Sequence, residues 1–216
     1  MAFNYSVMLD ICNKRTLVVG GGKVAIRKIK TLLASNAQVT VVAPEVLDEI
    51  ENLAEKGVIE LSLKKFTTND IEISKPFIVF AATDNIELNK SIALYCQERN
   101  LLVNTITEPA LGNMAVQAKI VKPDYAISMS TFGKSPGFAK AMREYLEAEL
   151  DEYFDISLNI YLDIRKEILD SSLEAKRRTE ILQQLDLKII RALIVENNNM
   201  AYNDLVKKVK EWLFCS

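Results

Sequence analysis

The stretch Arg15-Thr-Leu-Val-Val-Gly-Gly-Gly-Lys-Val-Ala-Ile-Arg-Lys28 runs from an apolar segment through three glycines into a helical pattern. Leu17, Val18 and Val19 form a short continuous apolar run, as expected of a parallel strand covered on both faces. Ile26, Ile29, Leu32 and Leu33 then recur with the helix period. At the junction stands Gly20-x-Gly22-x-x-Ala25. In that position Gly20 permits a tight turn, and Gly22 lets backbone approach a pyrophosphate. Ala25 allows close packing of helix on strand, and the helix N-terminus faces the anion. The strand, glycine and helix context predicts a dinucleotide site; a glycine turn in an α/β fold without a ligand is the alternative.

Outward from this unit the pattern repeats. Gln38-Val-Thr-Val-Val-Ala43 reads as a second strand closed by Pro44, with a helix from Glu45 to Lys56. Val58 to Lys64 alternates as a third strand, and Phe77-Ile-Val-Phe-Ala-Ala82 is a fourth, deeply buried one. A helix over Glu87 to Arg99 precedes a fifth strand at Leu101-Leu-Val-Asn104. Strands alternating with helices predict a Rossmann-type, doubly wound parallel sheet of the α/β class. Right-handed crossovers bring the strand ends and helix N-termini to one edge. Thr83, Asp84 and Thr105 to Glu108 are therefore expected to line the same crevice as Gly20 to Gly22.

Beyond Asn113 the character changes. Ala115 to Val121 and Tyr125 to Ser130 read as a hairpin turning at Lys122-Pro123-Asp124. Ser135 is then a natural N-cap and Pro136 a natural first residue for a helix ending near Leu150, so this loop is a second anion site by geometry. From Asp151 the apolar residues keep helical spacing, with breaks near Ser171-Ser172 and at Asn197-Asn198-Asn199. The expected division is residues 1–112, 113–150 and 151–216, the last an all-helical extension. Leu187 to Ile194 followed by Asn203 to Lys208 loosely suggests a helix-turn-helix, but no recognition helix follows. Oligomer contact or active-site cover is the better reading of this tail.

Composition narrows the partners. Lys and Arg number 27 against 29 Asp and Glu among 216 residues, a formal net charge of -2. That balance gives no basic field for nucleic acid and points to small molecules or another copy of the chain. No stretch approaches the ~20 apolar residues a bilayer span requires. No membrane role is expected. The 3 cysteines, Cys12, Cys96 and Cys215, are far apart and include no Cys-x-x-Cys, which suits a reducing cytoplasm and no metal site. Histidine is absent altogether. Acid-base work must fall to a carboxylate, Lys, Tyr, Cys or water.

Taken in order, Val18 to Lys28, Val39-Thr-Val-Val-Ala-Pro-Glu45, Ala81-Ala-Thr-Asp84, Asn104 to Pro109 and Gly133-Lys-Ser-Pro136 resemble the precorrin-2 dehydrogenase family. That family includes the N-terminal half of siroheme synthases. The resemblance covers roughly residues 5 to 150. It implies NAD as cofactor, a homodimer whose 113–150 segment completes the active site, and oxidation of the tetrapyrrole precorrin-2 to sirohydrochlorin. In some members it also implies insertion of iron or cobalt. By motif position, Gly20, Gly22, Lys23 and Val24 meet the cofactor's phosphates, Pro44 and Glu45 its adenosine side, and Ala82 and Thr83 complete its cradle. Glu45 equally suits support of the next helix N-terminus. No arginine waits there for a 2'-phosphate, so NAD is expected over NADP.

The chain departs from the family after Asn104. Where members read Asn-Val-Val-Asp, this sequence has Asn104-Thr-Ile-Thr107, so Thr107 occupies the position of the aspartate regarded as general acid-base. Threonine does not act as a base near neutral pH without help. Glu108 follows directly, and Thr107 and Glu108 are the catalytic candidates. Asp84 is better read as a helix cap than as an acid. Asn113-Met-Ala-Val-Gln117 replaces an aromatic segment, and Phe132 replaces a usual glycine. Asn104, Lys134, Ser135 and Arg143 are the candidates for holding substrate carboxylates. Two functions remain open: an NAD-dependent dehydrogenase, or a tetrapyrrole- or nucleotide-binding homologue that has lost oxidation.

Overall fold

The computed structural model describes residues 5–215, which form two compact units. The first takes the chain up to Lys119 together with Ser128–Ala139; the second takes Ile120–Ile127 and the chain from Lys140 onward.

In the first unit five strands alternate with four helices. They run β1 (Arg15–Val19), α1 (Lys23–Leu33), β2 (Gln38–Ala43), α2 (Asp48–Glu55), β3 (Glu60–Leu63), α3 (Thr68–Ser74), β4 (Ile78–Ala81), α4 (Ile86–Glu98) and β5 (Leu102–Thr105). The sheet order is β3-β2-β1-β4-β5, with every pairing parallel. This is the doubly wound order, and the direction of winding reverses between β1 and β4. Strand β1 is buried on both faces, as its apolar run requires. Val18 packs with Ala25, Ile29 and Ile50 from α1 and α2. Leu17 and Val19 pack with Ile71, Ile92 and Cys96 from α3 and α4. Each fully buried Leu or Ile here contributes about 1.5–3 kcal/mol relative to an exposed one.

Several boundaries differ from the pattern-based expectation. The second helix starts at Asp48 because the Leu47 N–H donates to the Gly21 carbonyl at 3.0 Å, holding residues 44–47 against the glycine turn. Helix α3 was not expected. It is closed by a capping box in which Asp70 accepts from the Thr67 N–H at 2.8 Å. Asn85, not Asp84, caps α4, accepting from the Leu88 N–H at 2.9 Å.

The hairpin strands β6 (Ala118–Val121) and β7 (Ala126–Met129) pair with each other, and α5 (Pro136–Glu149) follows with no buried residue. Ser135 caps α5, its hydroxyl accepting from the Phe138 N–H at 3.2 Å. The tail consists of α6 (Glu152–Asp170), α7 (Ala175–Gln184), α8 (Leu187–Glu196) and α9 (Tyr202–Cys215). They share a core of Ile160, Ile164, Ile168, Ile181, Ile190 and Ile194 with residues of α9. Breaks fall at the two expected places and also at Leu185-Asp186. There Asp186 caps α8, accepting from the Lys188 N–H at 2.7 Å. Among the described residues no helix is long and apolar enough to cross a membrane.

Candidate active site

The reversal between β1 and β4 opens a crevice at the carboxyl ends of those strands, where α/β sheets bind ligands. Gly20 enters it at φ +120°, with its N–H donating to the Val42 carbonyl at 3.0 Å. A Cβ on Gly20 would stand 2.3 Å from the Ala82 carbonyl oxygen, so the turn after β1 lies directly against the turn after β4. A Cβ on Gly21 would stand 2.2 Å from the Glu45 carbonyl oxygen, which brings the end of β2 to the same place. Gly22 differs from both. Its φ is -89°, and a Cβ there would meet nothing within 4 Å.

Gly22 is also the N-cap of α1, with no side-chain cap and no acidic residue in the first turn. Among the described residues nothing accepts the N–H groups of Lys23, Val24 or Ala25. An open cradle, unpaired donors and the positive end of a helix dipole fit a pyrophosphate. Pro44 and Glu45 are exposed at the end of β2. Glu45 does not cap α2, whose N-cap is Leu47.

The other wall is organised by Asn89, a fully buried residue of α4. Its Oδ1 accepts from the Thr83 N–H at 3.2 Å and the Thr83 hydroxyl at 2.7 Å. Its Nδ2 donates to the Thr83 carbonyl at 2.8 Å and to Thr107 Oγ1 at 3.3 Å. One amide thus ties the loop after β4 to the loop after β5. Its sequence signal was available: Asn89 lies on the stripe of Ile92, Ala93 and Cys96, where a polar residue needs buried partners.

Glu108 differs in burial from its half-buried neighbour Thr107. It is exposed, and its carbonyl accepts from the Thr105 hydroxyl at 2.5 Å where the chain enters a short turn at Pro109–Leu111. Asn104 is buried and donates from Nδ2 to the Met114 carbonyl at 3.0 Å, fastening the segment after that turn to β5. Gly20, Gly22, Lys23, Val24, Glu45, Ala82, Thr83 and Thr107 therefore gather along one edge. Lys134 and Ser135 belong to a separate loop, closed by a bond from the Ser135 N–H to the Thr131 hydroxyl at 3.2 Å. Arg143 lies in the second unit, 3.7 Å from Glu147. Among the described residues no group of three or more Cys, Asp or Glu is placed to hold a metal.

These features define a dinucleotide-binding domain of the doubly wound class. A family described as "Putative NAD(P)-binding" matches residues 7–118. The precorrin-2 dehydrogenase of Priestia megaterium is 31% identical over 84% of this chain and 88% of its own length. That of Bacillus subtilis is 31% identical over 73% of this chain and 96% of its own. The solved structure of SirC, a precorrin-2 dehydrogenase, superposes with a TM-score of 0.77 at 29% identity, covering 94% of this chain and 99% of that one. The chain belongs to the precorrin-2 dehydrogenase family.

Proposed function

We propose that this protein oxidises precorrin-2 to sirohydrochlorin with NAD+ as hydride acceptor. The observation that carries the reading is the open space at Gly22, set at the sheet's switch point in a chain of this family. Bound NAD+ supplies the hydride chemistry, and the chain supplies position and electrostatics. The N–H groups of Lys23 and Val24 would hold the pyrophosphate, and Glu45 would accept from the ribose hydroxyls. The absence of an arginine beside Pro44 and Glu45 favours NAD+ over NADP+. Ala82 and Thr83 close the cradle. Lys134, Ser135 and Arg143 bind carboxylates of the macrocycle, and Asn104 holds the adjoining segment in place.

Each oxidation removes a hydride and a proton from the substrate. Glu108 is the carboxylate nearest in sequence to the position where the family carries its acid, and it takes that proton and passes it to solvent. Thr107, which replaces that acid, contacts the macrocycle from the same loop. A homodimer suits this arrangement, because α5 leaves Phe138 and Tyr145 exposed and buries none of its residues. The free thiols of Cys12 and Cys96 suit a cytoplasmic setting.

The test is incubation of purified protein with precorrin-2 and NAD+, followed by NADH and sirohydrochlorin absorbance, with NADP+ in parallel. Stoichiometric NADH and sirohydrochlorin are expected. Ligand binding without either product would instead favour a homologue that has lost oxidation.

A further inference from the structure

We propose that Thr107 is a hydrogen-bond donor to a carboxylate of the bound tetrapyrrole, set in that role by Asn89, and that it accepts no proton during turnover. The proposal deepens the oxidation reading above and rests on it. The Asn89 amide meets both backbone groups of Thr83. Its Oδ1 faces the Thr83 N–H at 3.2 Å and its Nδ2 faces the Thr83 carbonyl at 2.8 Å. A backbone N–H only donates and a carbonyl only accepts, so a flipped amide would face donor with donor and acceptor with acceptor. The orientation is fixed by chemistry.

The atom presented to Thr107 is therefore the donor Nδ2, 3.3 Å from Oγ1. That bond uses an oxygen lone pair and leaves the hydroxyl proton uncommitted. Among the described residues none accepts it. The two neighbouring threonines differ, since Thr83 gives its proton to Asn89 Oδ1 at 2.7 Å and Thr105 gives its own to the Glu108 carbonyl. Thr107 is half-buried, in the middle of the short loop that follows β5.

This arrangement excludes a base. A threonine hydroxyl is activated by a neighbour that takes its proton, and the side chain facing Thr107 is an amide donor. What remains is donation outward to an acceptor. The proposed substrate is a polycarboxylate, and a hydroxyl bonded to a carboxylate is a strong, charge-assisted pair. Asn89 is then a positioning residue and Thr107 a binding residue.

The experiment is steady-state turnover of precorrin-2 with NAD+ across pH for the wild type, Thr107→Val, Thr107→Ser and Asn89→Asp, with NADH affinity and Tm measured for each. Valine keeps the shape and removes the donor; KM for the tetrapyrrole is expected to rise about tenfold, the effect falling on KM rather than kcat. Serine is expected to restore KM to within about threefold, the same constants applying to a retained bond. Asn89→Asp offers Thr107 an acceptor, draws its proton inward and is expected to raise KM as valine does. If that variant loses NADH affinity or fails to fold, the Thr107 pair alone decides. A fall in kcat for Thr107→Val at constant KM, or loss of a limb of the pH-rate profile, would overturn the proposal. If the wild type shows no turnover, the oxidation reading fails separately, and titration with sirohydrochlorin reads the donor directly. Equal affinity of wild type and Thr107→Val would then refute it.

Discussion

Gly20 and Gly22 stand two residues apart, and a methyl group added to each meets different surroundings. At Gly20 it meets the Ala82 carbonyl at 2.3 Å on a backbone with φ +120°, so Gly20→Ala strains the turn and drives β1 from β4. A loss of about 2 kcal/mol or more in unfolding free energy is expected, with NADH binding lost alongside. At Gly22 the backbone suits alanine and the space is empty. Gly22→Ala is therefore expected to leave Tm within about 2 °C, a change below ~0.5 kcal/mol, while NADH affinity falls tenfold or more because the methyl occupies the phosphate approach. Calorimetry with NADH fluorescence titration separates the two. Phe132 gives a third case. It holds φ +52° where the family resemblance expects glycine, and its ring is exposed. The left-handed conformation costs about 1 kcal/mol for a residue with a Cβ, so Phe132→Gly is expected to raise stability by up to that amount in urea unfolding.

Helix α3 shows what an element of seven residues depends on. Burial pushes the Asp70 carboxyl up, but the Lys64 ammonium at 2.5 Å and the Thr67 N–H and hydroxyl together pull it below the ordinary aspartate value. A folded-state pKa below the unfolded one means that this stabilisation is present above about pH 4 and is lost as pH falls through the folded value. Asp70→Ala is expected to cost about 1–2 kcal/mol at pH 7 and to reduce the acid dependence of Tm, checked by thermal unfolding from pH 7 to pH 3. The signal for this helix, Thr67-x-x-Asp70, was in the sequence, but a seven-residue segment carries too little apolar periodicity to be seen. The β1 to α1 junction was legible because strand, glycines and helix each left a separate mark. Elements ended by capping residues were less so, and Asn85 and Asp186 fix boundaries that hydrophobic spacing alone misplaces. The meeting of the turns after β1, β2 and β4 was readable from the glycines. Asn89 lies on the apolar stripe of α4, but its partners were not legible, because they sit on two loops that meet only in space.

At the scale of the whole molecule, the two units have separate cores, one around the sheet and one around Ile160, Ile164 and Ile190. Ile164→Ala in α6 removes a fully packed side chain and is expected to cost about 2–5 kcal/mol while leaving NADH affinity unchanged. A lowered unfolding transition with intact titration would establish that independence. Helix α5 raises the last question of assembly. It contributes 14 residues, none buried, and exposes Phe138 at 61% and Tyr145 at 67%. A helix this length gains little from propensity alone and requires an apolar partner to be stable in water. A second copy is the partner proposed for it. Burying Phe138 in an interface makes a charge there costly, whereas the same charge on a solvated face is nearly neutral. Phe138→Glu is therefore expected to convert a dimer to a monomer in sedimentation equilibrium while NADH still binds. If the active site is completed by the partner's segment, turnover of precorrin-2 falls with dimer content. A monomeric wild type, or a dimeric variant of unchanged affinity, would remove α5 from the interface.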